Sequence, residues 1–118
     1  KRSFLDLCNF SKKLSLNWGR SNNKIFFESF EGYIDLLKRF SDDYNLSLFA
    51  NKHNDLVKIA KMQKDIVYKP CGAGGDIGIC IGASKNKMDN FNESAQIKGF
   101  RLLDMSLEKS GLLIKEEL

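Results

Sequence analysis

What the chain has little of narrows its function first. Its 118 residues include one proline, one histidine, one tryptophan and three cysteines. With a single histidine, His53, and neither an HExxH pattern nor a CxxC pair, the chain shows none of the ligand spacings of a metal site built from the usual ligands, and none is expected. An odd number of cysteines predicts reduced thiols in a cytoplasmic compartment rather than a disulfide frame. No apolar run approaches the roughly 20 residues of a membrane span, and no signal-peptide pattern is present. There is no long basic run either. Nineteen Lys and Arg against fifteen Asp and Glu leave a formal charge of +4, which favours anionic partners without making a case for nucleic acid. The chain begins at Lys1 without an initiator methionine and reads as a fragment or a trimmed chain. With no repeat, linker or low-complexity segment, residues 1–118 are expected to form a single domain with a modest core.

Helical periodicity dominates the first half. Ser3 can cap a helix that carries Phe4, Leu7, Cys8, Phe10 and Leu14 inward and stops near Trp18-Gly19. Asn22 or Asn23 opens a longer helix with the apolar stripe Phe26, Phe30, Tyr33, Leu37, Phe40 and Tyr44. Gly32 inside it predicts a close neighbour, since glycine there otherwise costs about 1 kcal/mol relative to alanine. A third helix is expected from about Leu48 to Met62, with Phe49, Leu56, Ile59 and Ala60 inward and His53 on the same stripe as a packed or boundary residue. Asn86 to Asn92 reads as a polar connection. A last helix then carries Ala95, Ile97, Phe100, Leu103 and Leu107 inward, is stopped by Gly111, and leads to a final strand, Leu112-Leu113-Ile114.

Between the third helix and that connection lies the most informative stretch, Lys69-Pro70-Cys71-Gly72-Ala73-Gly74-Gly75-Asp76-Ile77-Gly78. It holds the only proline and four of the nine glycines, between the β-like runs Ile66-Val67-Tyr68 and Ile79-Cys80-Ile81. Glycines this dense allow backbone conformations closed to other residues, and successive exposed amides can form a nest for an anion. A plain hairpin turn remains the other reading. A Walker A loop is excluded, because Asp76 stands where Lys-Ser or Lys-Thr is needed and no helix opens there. The dinucleotide fingerprint is excluded because Ile77 occupies the place of its third glycine. In the second strand Ile77, Ile79 and Ile81 are expected to sit on the helices, leaving Gly78, Cys80 and Gly82 as a flat, open face.

Tyr68-Lys69-Pro70-Cys71-Gly72-Ala73-Gly74-Gly75-Asp76-Ile77-Gly78-Ile79 resembles the third, C-terminal motif of the GHMP small-molecule kinases, most closely that of the phosphomevalonate kinases. The usual form of that motif is Lys-x-Ser-Gly-Ala-Gly-Gly-Gly-Asp-x-Gly-Ile. This chain has Cys71 in place of the serine and one glycine fewer. The resemblance runs loosely from Leu46 to the C-terminus. It implies an α+β fold, a ferredoxin-like domain of βαββαβ order whose antiparallel sheet has helices packed on one face. It also implies a C-terminal domain of an ATP- and Mg²⁺-dependent small-molecule kinase of isoprenoid biosynthesis. Lys69, Cys71, Gly72, Ala73, Gly74, Gly75 and Asp76 would then bind the phosphate of an anionic small substrate. Asp76 is open between capping the loop and facing the metal. The family's Pro-x-x-x-Gly-Leu-Gly-Ser-Ser nucleotide loop and catalytic Asp lie in an N-terminal domain, and neither motif occurs in residues 1–118. No catalytic residue is therefore assigned, the isolated chain is predicted inactive in phosphotransfer, and the missing N-terminal domain is its implied partner. A surface left by that partner would favour a homo-oligomer. The alternative is a stand-alone ferredoxin-like module that binds an anion or a protein without catalysis.

Overall fold

A computed structural model of the chain describes residues 2–19, 22–72 and 75–103. Its element order is α1 (Arg2–Leu16), α2 (Asn23–Asp43), α3 (His53–Met62), β1 (Ile66–Pro70), β2 (Gly78–Gly82) and α4 (Lys85–Ile97). Four helices and a two-stranded antiparallel sheet make an α+β fold. The expected positions Leu107 and Gly111 and the expected strand Leu112–Ile114 lie outside the described residues.

α1 and α2, separated by six residues in sequence, run antiparallel. Phe4 near the start of α1 meets Phe40 near the end of α2, and Trp18 beyond the end of α1 meets Phe26 near the start of α2. Gly19 adopts φ +77°, the left-handed conformation of a helix stop. Asn22 caps α2, its Oδ1 accepting the Ile25 N–H at 2.9 Å. At Gly32 the Phe10 ring packs so closely that a Cβ would stand 3.1 Å from its Cζ. Ser3 departs from expectation. It lies inside α1 rather than before it, buried, with an Oγ that has no hydrogen-bond partner. Cys8 and Phe4, expected inward, are exposed.

Because α2 lies between α1 and the remaining elements, it needs two apolar faces. The stripe read from the sequence serves α1 through half-buried Phe26, Tyr33 and Phe40, with Tyr44 exposed at its end. A second row, Phe27, Ile34 and Ser41, is buried together with Phe30 of the stripe. It joins Leu56, Val57 and Ala60 of α3, Ile66, Val67 and Tyr68 of β1, and Phe91 and Ala95 of α4 in one core. Full burial of each large aliphatic side chain contributes about 1.5–3 kcal/mol.

α3 starts later than its periodicity suggests. Asn51 and Lys52 both adopt positive φ, 56° and 69°, as do Asn45 and Ser47 upstream, so residues 45–52 form an irregular connection and the helix opens at His53. α4 is also displaced from its expected place. The supposed polar connection, Asn86 to Asn92, is helical: Ser84 caps it by accepting the Lys87 N–H, and Gly99 at φ +93° follows its end. Its inner face is Met88, Phe91 and Ala95, whereas Ile97, expected inward, is 85% exposed.

β1 and β2 pair in the register Ile66↔Gly82, Tyr68↔Cys80 and Pro70↔Gly78 on one face, Val67↔Ile81 and Lys69↔Ile79 on the other. The expected facing of β2 holds at Ile81, which is half-buried against the core, and fails toward the loop. Ile77 and Ile79 are 54% and 47% exposed, and the glycine side is covered. The reason lies in β1, whose large side chains on that side, Ile66 and Tyr68, need room across the strand, and Gly82 and Gly78 leave it for them. Met88 of α4 completes the cover; a Cβ on Gly82 would fall 2.6 Å from its Sδ. Helices meet both faces of β1 rather than one. Tyr68 turns to His53 of α3 and Phe91 of α4, and Lys69 turns to Phe30 and Tyr33 of α2.

Candidate functional site

The glycine loop spans the two strands, as its composition requires, and is closed by a backbone bond from the Cys71 N–H to the Ile77 carbonyl at 2.9 Å. Gly72 takes φ +56°, a conformation that L side chains rarely adopt, and the space around it is open. Gly75 and Asp76 are exposed, Cys71 is half-buried, and Ala73 and Gly74 lie outside the described residues.

What fixes the loop is His53, a residue whose spacing from the loop gave no hint of contact. Its ring is completely buried. Nε2 lies 2.6 Å from the Gly75 carbonyl oxygen and Nδ1 lies 2.7 Å from the Tyr68 hydroxyl. A carbonyl can only accept, so Nε2 carries the proton, and in the neutral ring Nδ1 then accepts the Tyr68 O–H. Tyr68, 4% exposed, stacks between His53 and Phe91, with ring centroids 5.9 and 5.8 Å away. The clasp has a consequence for the loop. In a trans peptide the C=O and the next N–H point in opposite directions, and no cis bond occurs among the described residues. With the Gly75 oxygen turned inward to His53, the Asp76 N–H is turned away from the core, toward solvent.

Lys69, expected to serve the loop, lies instead on the face of β1 opposite Tyr68, where its ammonium donates to the Pro70 carbonyl at 2.8 Å. Cys80 packs with its thiol 3.8 Å from the Met88 sulfur. Burial pushes the Cys80 thiol up to about 12, which leaves it a packing group rather than a nucleophile at neutral pH. Among the described residues no three His, Cys, Asp or Glu side chains converge on a point that could hold a metal ion. No helix there is long and apolar enough to cross a membrane.

Burial first, and then the nearby Cys71 and Cys80 thiols, push the Tyr68 hydroxyl up to about 12 from an ordinary value of 10.0. The fold therefore favours the protonated phenol. Its contribution to stability is whole below pH 10 and disappears as pH rises through 12. By the same sign, the Cys80 contribution fades from pH 9 to 12. Alkaline unfolding in that window is the expected outcome, measured as the denaturation midpoint against pH. Tyr68→Phe should flatten the fall between pH 10 and 12 and leave the Cys80 portion in place.

The chain matches no protein-family model, no curated protein and no solved structure.

Proposed function

We propose that the chain is a phosphate-binding domain of the kind found at the C-terminus of GHMP kinases, contributing the glycine loop at residues 71–77 but not a complete active site. The observation that carries this reading is the His53 clasp. An inward-turned Gly75 carbonyl leaves the Asp76 amide pointing outward from a loop whose Gly72 already takes a left-handed conformation, as successive amides do in an anion nest. The order α3–β1–β2–α4 is also that of the central αββα portion of the βαββαβ domain that the motif implies.

Phosphoryl transfer needs a cradled phosphate, charge neutralisation and an acceptor held in line. This chain supplies the cradle. Cys71 offers a thiol, a weak donor, where the resembled motif has a hydroxyl. ATP and Mg²⁺ would be held by the N-terminal domain of the complete enzyme, since neither the nucleotide loop nor the catalytic Asp of the family occurs in residues 1–118. In a second reading the domain binds an anion or a partner without catalysis; exposed Ile77 and Ile79 beside the loop favour it.

Titration with pyrophosphate, followed by backbone amide NMR, tests the cradle. The amides of residues 72–77 are expected to shift together and to saturate at millimolar ligand, while those of α1 stay in place. Gly72→Val should abolish the response in a protein that remains folded, because the left-handed conformation costs a β-branched residue roughly 1–3 kcal/mol. Shifts absent at millimolar pyrophosphate, or confined to other elements, would overturn the reading. Adding ATP and phosphorylated acids to the isolated chain is expected to give no turnover.

A further inference from the structure

The face of β1 opposite Tyr68 opens onto a second site that does not involve the glycine loop. There, α1, α2 and β1 flank a shallow, open cleft of about 290 Å³. Leu14, Trp18 and Phe30 line one part of it, and Ser11, Ser15 and Tyr33 bring three hydroxyls. Lys69 is the one charged residue among its described lining residues. Trp18 is exposed, yet its indole is fixed by edge contacts to Phe26 at 4.9 Å and Phe30 at 6.3 Å. An aromatic ring pinned by its neighbours and still open to solvent is a stacking platform. Lys69 is half-buried, no carboxylate pairs with it among the described residues, and the bond of its ammonium to Pro70 uses one of its three donors.

We propose that this cleft binds a small planar aromatic carboxylate, its ring against Trp18 and Phe30 and its carboxylate on Lys69. The volume lies at the small end of the range for ligand pockets and suits one or two fused rings rather than a nucleotide. The charge pattern selects an anion, because a partly desolvated cation attracts a carboxylate more strongly than an exposed one does. The aromatic wall selects an aryl group over inorganic phosphate, which would leave that wall wet. Desolvation raises the Tyr33 hydroxyl above its ordinary value, so it remains a protonated donor at neutral pH.

The chain has one tryptophan, so the indole N–H resonance of Trp18 reports on this cleft alone. We expect 2-naphthoate to shift it and to bind at sub-millimolar concentration by calorimetry. The uncharged isostere 2-naphthamide should bind about tenfold more weakly, the loss of one charge-assisted contact. Lys69→Met keeps the aliphatic stem and should erase that difference by weakening naphthoate alone. Ser15→Phe, at an exposed position on α1, should fill the cleft and remove both ligands, with the circular dichroism spectrum unchanged. Pyrophosphate should leave the Trp18 resonance in place, and Gly72→Val should leave naphthoate binding intact, which separates this proposal from the phosphate loop. Equal affinity for naphthamide and naphthoate, unchanged naphthoate binding in Lys69→Met, or no Trp18 response at millimolar naphthoate would overturn it.

Discussion

Gly78→Ala is expected to destabilise the protein by about 3 kcal/mol, at the upper end of overpacking costs, whereas Gly82→Ala should cost about 1 kcal/mol or less. Both glycines sit on the covered face of β2, and a methyl group on either would collide with a side chain. The difference lies in what is hit. At Gly78 the new Cβ would overlap the Tyr68 phenol, which is buried, stacked on Phe91 and tied through its hydroxyl to His53. To yield, Tyr68 must give up a buried hydrogen bond as well as its packing, and the loop loses its anchor with it. At Gly82 the obstacle is Met88, whose Sδ and Cγ would stand 2.6 and 2.9 Å away; its side chain has three rotatable bonds and can swing aside. Thermal denaturation followed by circular dichroism separates the two; a loss of this size in a domain of this length should lower the midpoint of Gly78→Ala by roughly 10 °C or more. Equal midpoints for the two variants would mean that Tyr68 is not pinned.

The sequence made the helical pair legible because its signals are local. Asn22 as a cap, Gly19 as a stop and a neighbour over Gly32 are each dictated by a few adjacent residues, and each stands in the structure. The strand–glycine loop–strand unit was legible for the same reason. What the sequence concealed was the choice of face. Isoleucines at 77, 79 and 81 outweigh Gly78, Cys80 and Gly82 on any hydrophobicity argument, yet only Ile81 of the three packs on the core, and the glycine side is covered because Ile66 and Tyr68 of β1 bring the bulk that β2 lacks. α2 hid its second apolar row because one continuous stripe already accounted for it. The first half of α4 was missed because two spaced apolar residues, Met88 and Phe91, are thin evidence among so many polar ones. Within the candidate site, Gly72 and the loop itself could be read directly. The His53 contacts could not, since they join an early helix to a later strand and loop through pairings that only the tertiary fold creates.

Removing that histidine should test fold and loop together. His53→Leu keeps an apolar side chain of comparable bulk but deletes both bonds, leaving the Tyr68 hydroxyl buried without an acceptor and the Gly75 carbonyl without its donor. An unsatisfied buried group costs roughly 1–3 kcal/mol, so a total loss of about 2–4 kcal/mol is expected. Tyr68→Phe alone strands Nδ1 in the core and should cost about 1–2 kcal/mol. In the double variant neither the hydroxyl nor the ring nitrogen remains, so its loss should fall short of the sum by about 1–2 kcal/mol, the coupling between two groups in direct contact. Urea denaturation of the four proteins measures this, and strict additivity would rule out the bond. The loop responds differently to the two changes. His53→Leu frees the Gly75 carbonyl, and with it the Asp76 amide, so pyrophosphate affinity should drop severalfold. Tyr68→Phe keeps Nε2 on Gly75 and should bind pyrophosphate as the parent does. His53→Gln retains an N–H that can reach the Gly75 oxygen and should restore part of the affinity without restoring the stability lost at Tyr68. A merely structural histidine would lower stability and affinity in parallel across all three variants; one that orients the loop should separate them.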